Sequence, residues 1–586
     1  MKGTPSERLA RMQALFDQGQ YAPAAELLVT ALSEKPDDPE LQLLGAKLDY
    51  VGGRFNAALR TLSKVTAELP DSVDAHHILG VILSQAGEHE AAVQALERAY
   101  QLSPNDPQVC ANLGGVIVRQ GNFNDAEPFL LKARNLDPAS AVTRKNLGVL
   151  YVEQLRHEEA VKEYRQAIAL QPGSFAFRSS LTKALGCCPQ TDPHDDFEVF
   201  RSTSEIIENN TSLLFDTYSK ANNRIRIGYL GSTLRQHSVA YFLLPILEHH
   251  SDQFEIFCYH IGEREDSMTQ RIVENSDHYR HLSGQSAAKI ARQIHQDGIN
   301  ILFDLEGYTE QLVTLGVLAH SPAPVQASYL GYPDTTGLAR IGYRIVDNFT
   351  DPADGIADSL YTEELIRMST SFAVYSPPID APDVNVTPVL RNGYITFGSF
   401  NLPIKMNRDV IKLWSRILRT VEGSRLLLKH ALFEKKSMVD NIVSAFVAEG
   451  VAPERLILSG FDKTSTDHLH RYHEIDIALD PFPFNGMTTS CEALWMGIPI
   501  VTLAGEKHLS RVGVSHLTNI GYPDWIATDF DKYVKIAEKL ASDTQTLNAI
   551  RLGLRKKMSA SPLMDGKSFT AELEQRLLDI WHDKLT

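Results

Sequence analysis

Apolar, small and turn-forming residues recur every 34 positions through the first third of the chain. Each unit predicts two short amphipathic helices, because a glycine ends the first helix, a proline follows the second, and the small residues let helices cross closely. The recurring positions are Pro36, Pro70, Pro104, Pro138 and Pro172; Ala24, Ala58, Ala92, Ala126 and Ala160; Gly19, Gly53, Gly87 and Gly121, a series that Leu155 interrupts; and Gly80, Gly114 and Gly148.

The repeat resembles the tetratricopeptide repeat, an α-solenoid in which stacked helix pairs share one core and leave a concave groove. The repeats run from residue 5 to residue 172, and FAFRSSLTKALGCC (175–188) is expected to form a capping helix, so we assign residues 5–188 to the array. Its groove suits an extended polypeptide. Residues 189–222 are more polar and predict a linker that folds in part as a helix.

From residue 223 onward, short β-branched runs alternate with helical stretches, which predicts parallel sheets with helices on both faces. There are enough units for two doubly wound, Rossmann-like domains, residues 223–385 and 386–586, joined near the Pro-rich stretch SPPIDAPDVNVTPVL. Two such domains facing each other place a ligand cleft between the carboxyl ends of their strands. The predicted strands lie in RIRIGYLG, FEIFCYHI, INILFDLEG, VQASYLGYP, YITFGSF, SRLLLKHA, RLILSG, IDIALDPF and IPIVTLAG.

The charge and cysteine content narrow the classes of function. The chain of 586 residues carries 57 Lys and Arg against 73 Asp and Glu, a net charge of −16, which disfavours nucleic acid or an anionic membrane as a partner. The five scattered cysteines argue against a disulfide framework or a cysteine metal site and suit a reducing compartment. No secretory signal or apolar run of about 18 residues is evident, so we expect a cytoplasmic protein without a membrane segment.

Two segments of the first predicted domain carry candidate chemistry. RIRIGYLGSTLRQHSVAYF predicts a strand, a loop and a helix, with His237 at the loop–helix junction, where an imidazole can hydrogen-bond a phosphate or move a proton. The alternative is a packing or capping histidine. SPAPVQASYLGYPDTTG predicts a rigid loop in which Gly331 lets a ligand such as a sugar approach the backbone. The alternative there is a structural turn.

The second predicted domain offers groups suited to a diphosphate. Lys405 lies just beyond the strand of FGSFNLPIKMN and can act as a point charge, with a surface lysine as the alternative. In DPFPFNGMTTSCEALWMGIPIVTL a helix opens at residues 486–490, and the N–H groups of a helix start bind anions. Glu492, one turn later, can accept ribose hydroxyls. Alternatively, Thr488 caps the helix and Glu492 complements its dipole.

These segments, in this order and behind a repeat array, resemble the O-linked N-acetylglucosamine transferase family, which includes the plant Spindly proteins. The resemblance covers essentially the whole chain. It implies a GT-B glycosyltransferase, inverting and metal-independent, that moves a sugar from a nucleotide, most simply UDP-GlcNAc, to Ser or Thr hydroxyls. It also implies a protein acceptor in the groove, a homodimer formed through the repeats, and no cofactor beyond the nucleotide-sugar donor.

The resemblance assigns roles position by position. His237 matches the active-site histidine, Lys405 the phosphate-contacting lysine, and His468 the histidine that stacks on the base. The donor-binding positions are Gly486, Met487, Thr488 and Thr489 near the diphosphate, Glu492 at the ribose, and Leu330, Gly331 and Pro333 along the sugar.

The chain departs from the family pattern at a few positions. Leu402 stands where the family often has Asn or Gln, Met487 where His is frequent, Ser465 where some members have Lys, and Thr233 where the family often has an Asp just before a helix. Three alternatives therefore stay open: an inactive repeat adaptor, a transferase using another donor such as a different UDP-hexose or GDP-fucose, and a sugar-nucleotide epimerase, although an epimerase has no use for a peptide-binding array.

The implied reaction is attack of a hydroxyl on the anomeric carbon from the face opposite the leaving diphosphate. Lys405 and the N–H groups around Thr488 and Thr489 are expected to stabilise the leaving-group charge. His237 is the first candidate for the general base and Asp304, in FDLEG, the second. A weakly acidic hydroxyl that loses its proton late would need neither.

Overall fold

The repeat region folds as helix pairs. The computed structural model describes residues 5–215, 217–218, 224–309 and 313–585. Within that part of the chain, the repeats form helices of 13 or 14 residues: α1 (Pro5–Asp17), α2 (Tyr21–Glu34), α3 (Pro39–Val51), α4 (Phe55–Glu68), α5 (Val73–Gln85), α6 (His89–Leu102), α7 (Pro107–Gln120), α8 (Phe123–Leu136), α9 (Ala141–Glu153) and α10 (His157–Leu170).

The residues that carry the 34-residue period occupy equivalent places. Gly19, Gly53, Gly87 and Gly121 have φ between 72° and 90°, and Leu155 has φ 60°, so the interrupting leucine keeps the same left-handed turn. Adopting it with a side chain costs about 1–2 kcal/mol. The five recurring alanines are fully buried, and each recurring proline lies just beyond the second helix of its pair.

Two compact units make up the chain: residues 1–154 with 162–172, and residues 155–161 with 173–586. The predicted capping helix forms as α11 (Phe175–Leu185), but it belongs to the second unit, so the predicted array boundary at residue 188 is too late. Most of the predicted linker is α12 (Pro193–Asn209), whose Phe200 is buried in a core with Leu230 and Tyr259. It is therefore an integral helix. Residues 216 and 219–222 of the predicted linker, and residue 223, the first of the predicted domain, lie outside the described residues.

The first sheet of the second unit has seven parallel strands in the order β3-β2-β1-β4-β5-β6-β7. Its strands are β1 (Ile225–Gly231), β2 (Phe254–His260), β3 (His278–His281), β4 (Ile301–Asp304), β5 (Val325–Ser328), β6 (Tyr343–Asp347) and β7 (Glu364–Met368). The helices between them are α13 (Ala240–Leu247), α14 (Ser267–Glu274), α15 (Ala287–Gln296) and α16 (Val313–Leu318).

The second sheet has six parallel strands in the order β10-β9-β8-β11-β12-β13. They are β8 (Thr396–Ser399), β9 (Arg425–Lys429), β10 (Leu456–Ser459), β11 (Ile477–Leu479), β12 (Ile500–Leu503) and β13 (Ile526–Ala527). The helices are α17 (Val389–Asn392), α18 (Arg408–Thr420), α19 (Lys436–Ala448), α20 (Ser465–His470), α21 (Thr488–Trp495), α22 (Val512–Asn519), α23 (Phe530–Ser542) and α24 (Thr544–Ser559). We call the two sheets with their helices the first and second lobes.

The last helix, α25 (Gly566–Leu585), packs on the first lobe. Its residues Phe569, Leu573, Leu577 and Trp581 are buried in the core that also contains Ile227. The predicted domain of residues 386–586 is therefore wrong at its end, because the apolar face of α25 completes the core of the other sheet. None of the described helices combines the length and hydrophobicity that crossing a bilayer requires.

Candidate active site

A cavity of about 370 Å³ lies between the carboxyl ends of the two sheets, inside the second unit. In each sheet the strand order reverses beside the first strand, at β1 and β4 and at β8 and β11. Doubly wound folds bind ligands outside the carboxyl ends of the strands at this reversal. The cavity is lined by loops that follow β1, β5, β8, β9, β11 and β12, and its volume is typical of small-molecule sites.

Lys405 lies on the cavity wall in a fixed position. Its Nζ donates to the backbone carbonyl of Asn485 at 2.9 Å and lies 3.4 Å from Asn401 Oδ1. The same ammonium sits 3.9 Å from the centre of the Phe484 ring. Burial lowers the pKa of Lys405 to about 8, against the opposing charge of Asp480. Lys405 is therefore cationic at neutral pH, and an anion in the cavity would raise its pKa again.

The first turn of α21 lies on the same wall. Met487 is its N-cap residue, with no capping hydrogen bond from its side chain, so the alternative in which Thr488 caps the helix is wrong. Thr488 and Thr489 line the cavity, and Thr489 Oγ1 donates to Asn401 Oδ1 at 3.1 Å. With no side-chain cap, the helix start offers its N–H groups to an anion.

Gly486 holds the turn that precedes this helix. Its N–H donates to Asp480 Oδ1 at 2.7 Å. A Cβ there would lie 2.6 Å from both Ser490 Oγ and Thr489 Oγ1, which are part of the same turn. Gly486 does not line the cavity itself. Its role in this geometry is to let the chain bring Thr488 and Thr489 to the wall.

His237 lines the cavity from the first lobe. The backbone N–H of Val239 donates to its Nδ1 at 3.3 Å. Burial, with a smaller contribution from Arg235, lowers the pKa of His237 to about 4, so the ring is neutral at pH 7. Because Nδ1 accepts a hydrogen bond, the proton is on Nε2. This tautomer makes His237 a hydrogen-bond donor at Nε2 and argues against its acting as the general base.

Asp304, the second candidate base, is 1% exposed and is not among the residues that line the cavity. Its carboxylate accepts from the backbone N–H groups of Glu306 and Gly307, at 3.1 and 2.9 Å. Burial raises the pKa of Asp304 to about 6. In this geometry Asp304 holds the turn after β4, since its oxygens face the backbone of that turn.

The loop after β5 lines the cavity with Leu330, Gly331 and Pro333, the three residues expected along the sugar. Leu330 has φ 71°, a strained value for a residue with a side chain. A Cβ at Gly331 would lie 1.8 Å from the carbonyl oxygen of Leu305, so only glycine fits there. The loop therefore presents its backbone at close range.

His468 and Glu492 lie together but are not among the lining residues. His468 Nε2 is 3.0 Å from Glu492 Oε2, Lys429 donates to His468 Nδ1, and Tyr472 OH donates to Glu492 at 3.1 Å. Phe400, which does line the cavity, packs against both His468 and Tyr472. The two predicted nucleotide contacts thus form one network beside the cavity.

Sequence patterns did not single out several polar residues of the cavity wall. Asn401 lies two residues after β8, and Asn485 lies in the loop between β11 and α21, so their places after strands were a usable signal. Arg344 belongs to β6, a strand that was not predicted. His508, in the loop after β12, pairs with Asp351 of the first lobe through a contact that no local pattern reveals.

Two doubly wound lobes with one cavity at the carboxyl ends of their sheets, following a tetratricopeptide array in the chain, are the architecture of the GT-B fold. The model of glycosyl transferase family 41 matches residues 203–376 and 387–573, and tetratricopeptide models match residues 15–82, 83–145 and 116–175. The chain belongs to glycosyl transferase family 41.

Two plant proteins are similar to about three fifths of this chain. The probable UDP-N-acetylglucosamine–peptide N-acetylglucosaminyltransferase SPINDLY of Petunia hybrida is 37% identical over 372 residues, 63% of this chain and 40% of that protein. The probable enzyme SEC of Arabidopsis thaliana is 30% identical over 61% of this chain and 37% of its own length. The chain thus matches about two fifths of these plant proteins.

A solved structure is similar over almost its whole length. It is a point mutant of the O-GlcNAc transferase of Thermobaculum terrenum, 32% identical, with a TM-score of 0.73. The match covers 87% of this chain and 98% of that one.

Proposed function

We propose that this protein transfers a sugar from a nucleoside diphosphate to Ser or Thr hydroxyls of other proteins, with inversion and without a metal ion. UDP-GlcNAc is the first donor to test, because the similar proteins carry that sugar in their names. The observation that supports the proposal most strongly is that Lys405 and the first turn of α21 line one cavity. Both suit a diphosphate.

The chemistry needs stabilisation of the leaving diphosphate. Lys405 offers a fixed cation, and the helix start offers N–H groups that need no reorganisation when charge develops. Each such donor is worth about 2–4 kcal/mol in preorganised sites. His237 suits a third donor, at Nε2, because its Nδ1 is an acceptor. These groups could together replace a divalent cation.

Lys405→Ala tests the diphosphate assignment. We expect transfer to fall by about 10²–10³-fold, the loss seen when one preorganised donor is removed. The rate of transfer of a radiolabelled sugar to an acceptor protein measures this fall, and thermal unfolding checks that the variant is folded. Lys412→Ala is the matched control, because Lys412 lies on the exposed surface of α18 in an ion pair with Asp409. Near-normal transfer by Lys405→Ala would contradict the assignment.

The identity of the donor is a second question. Leu402 lines the cavity and has no hydrogen-bonding side-chain atom where the family has Asn or Gln. This favours testing other nucleotides beside UDP. Incubation with UDP-GlcNAc, another UDP-hexose and GDP-fucose, each with and without acceptor protein, separates the remaining functions. A transferase releases nucleoside diphosphate in the presence of acceptor, an adaptor releases none, and an epimerase converts the sugar without acceptor.

A further inference from the structure

A buried histidine–aspartate pair joins the two lobes at the cavity wall. His508 Nδ1 lies 2.6 Å from Asp351 Oδ2, and the two side chains are 3% and 2% exposed. His508 belongs to the loop after β12 in the second lobe, and Asp351 follows β6 in the first. His508 lines the cavity, yet the diphosphate chemistry proposed above does not use it.

Asp351 sets the tautomer of His508. Burial raises the pKa of Asp351, but the charge and hydrogen bond of His508 and a hydrogen bond from Tyr361 outweigh it, so the pKa lies below its usual value. Tyr361 OH donates to Asp351 Oδ1 at 2.8 Å. An ionised carboxylate only accepts, so His508 donates from Nδ1 and, when neutral, keeps its lone pair on Nε2.

The ring of His508 is also fixed in place. The Phe372 ring packs against it edge-on with centroids 4.8 Å apart. Its loop is tied to the first lobe, because Arg511 donates from Nε to the carbonyl of Phe349 at 2.9 Å. Among the described residues, no hydrogen bond engages Nε2 of His508, so in the neutral ring this nitrogen is a hydrogen-bond acceptor with a fixed direction.

Arg344 adds a donor beside the pair. It is 2% exposed, lines the same cavity and helps lower the pKa of Asp351. Its terminal nitrogens donate to Ser328 Oγ and to the carbonyl of Tyr332, at 3.1 and 2.5 Å. Within the described part of the chain its Nε is buried without a hydrogen-bond partner. The cavity wall therefore combines an acceptor, Nε2 of neutral His508, with the positive charge of Arg344.

We propose that His508, in its neutral form and oriented by Asp351, accepts a hydrogen bond from a hydroxyl of the donor sugar and so helps decide which sugar is used. The oxygens of a diphosphate only accept hydrogen bonds, whereas a sugar hydroxyl can donate one to Nε2 of neutral His508. The loop of His508 follows β12, the neighbour of β11, whose own loop leads to the diphosphate-facing helix. We assign His508 to the donor sugar and not to the acceptor hydroxyl because its side chain is only 3% exposed. The inference rests on the proposed function.

The test compares affinity for a nucleotide sugar with affinity for the nucleoside diphosphate alone. Calorimetry on the full chain, with UDP and UDP-GlcNAc and with GDP and GDP-fucose, gives the ratio of the affinity for the nucleotide sugar to the affinity for the nucleoside diphosphate. We expect His508→Leu to lower the affinity for the nucleotide sugar about tenfold, the size expected for one hydrogen bond, and to leave the affinity for the nucleoside diphosphate unchanged. Asp351→Asn, which removes the charge that fixes the tautomer, is expected to lower the same ratio.

His250→Leu is the matched control. His250 is also buried and paired with a carboxylate, Glu574, at 2.9 Å, but its Nε2 contacts Tyr229 OH and it does not line the cavity. We expect the ratio to stay at the wild-type value in this variant. His508→Gln, which can restore an acceptor oxygen, covers the case in which the leucine variant fails to fold, and is expected to recover part of the loss.

Two results would overturn the inference. One is an unchanged ratio in folded His508 and Asp351 variants. The other is a loss confined to acceptor-dependent transfer, with nucleotide-sugar affinity and acceptor-free hydrolysis intact, which would put His508 at the acceptor hydroxyl. Failure of the proposed function looks different, because then the wild-type chain would bind neither nucleoside diphosphate and Lys405→Ala would change nothing.

Discussion

At the scale of single residues, the hydrogen bonds of each histidine decide its chemistry. His237 accepts a hydrogen bond from the Val239 backbone at Nδ1 and so carries its proton on Nε2, whereas His508 donates a hydrogen bond from Nδ1 to Asp351, so that its Nε2 accepts when the ring is neutral. Both line one cavity. The place of His237 at a loop–helix junction makes it a candidate from the sequence alone, but the direction of its hydrogen bond depends on the folded backbone.

The tautomer of His237 leads to a prediction about two substitutions. His237→Gln keeps an N–H donor near the position of Nε2, so we expect it to retain more transfer activity than His237→Ala, by about tenfold. Rates of sugar transfer at saturating donor measure the difference. If His237 were the general base instead, glutamine and alanine would be equally inactive. Because the pKa of His237 is about 4, its titration would also produce no inflection in the rate between pH 6 and 8.

The lowered pKa of Lys405 predicts a pH dependence of nucleotide binding. The lysine is charged below its pKa of about 8 in the free protein, and a bound diphosphate raises that value. Affinity for UDP or GDP should therefore be full below pH 8 and fall by up to about tenfold per pH unit above it. Calorimetry between pH 7 and 9.5 checks this. Lys405→Arg, which stays charged, should lose the slope, and a flat wild-type profile would count against the assignment.

At the scale of elements, the repeat helices are held by contacts that demand small residues. A Cβ at Gly80, Gly114 or Gly148 would come within 2.6 Å of a side chain on the next helix, Leu96, Leu130 or Tyr164. The same register continues at Ala46, which is fully buried. Small residues therefore recur every 34 positions because the helices cross closely at those positions. This is why the array could be predicted from the spacing alone.

Gly114→Ala should destabilise the repeat unit. The added methyl meets Leu130 Cγ at 2.6 Å, and overpacking of this kind costs about 1–3 kcal/mol, more than the gain in helix propensity of about 1 kcal/mol. Urea unfolding followed by circular dichroism measures the change. Gly45→Ala is the matched control, because its Cβ meets only Leu28 Cδ2 at 3.5 Å, so that variant should be neutral or more stable. Equal effects of the two substitutions would refute the packing argument.

Strands were not predicted where the burial of a strand does not follow the hydrophobicity of its residues. The nine predicted strands are present, but β3, β6, β7 and β13 were missed. The edge strand β3 reads HYRH and is only half-buried, and β6 contains the buried Arg344. A buried charge is compatible with a central strand only because Ser328 and Tyr332 accept its hydrogen bonds, and those partners come from elsewhere in the chain.

At the scale of the whole molecule, the two compact units suggest a division of labour. The second unit contains the complete cavity, and the first offers a repeat array of a kind that binds polypeptides. Docking of the acceptor in the groove, pairing of two copies through the repeats and the cytoplasmic location stay predictions.

Removing residues 1–154 tests that division, because the cut leaves the second unit whole. We expect UDP or GDP affinity and acceptor-free hydrolysis to be kept, since the cavity lies in the remaining unit, while transfer to a protein acceptor falls at least about tenfold with the loss of its docking surface. Calorimetry measures the nucleotide affinity, transfer and hydrolysis assays measure the activities, and circular dichroism checks the fold. Undiminished protein transfer would mean that the repeats do not dock the acceptor.

The amino-acid sequence by itself determined the repeat array, the two doubly wound lobes and the segments around His237, Lys405 and Thr488, because periodicity and strand-end motifs are local properties of the chain. Tertiary structure alone decided that α12 and α25 complete the core of the first lobe, that Asp304 faces its own turn, and that His508 meets Asp351. These contacts join residues far apart in the chain, and their energy depends on distance and burial, which exist only once both lobes have folded.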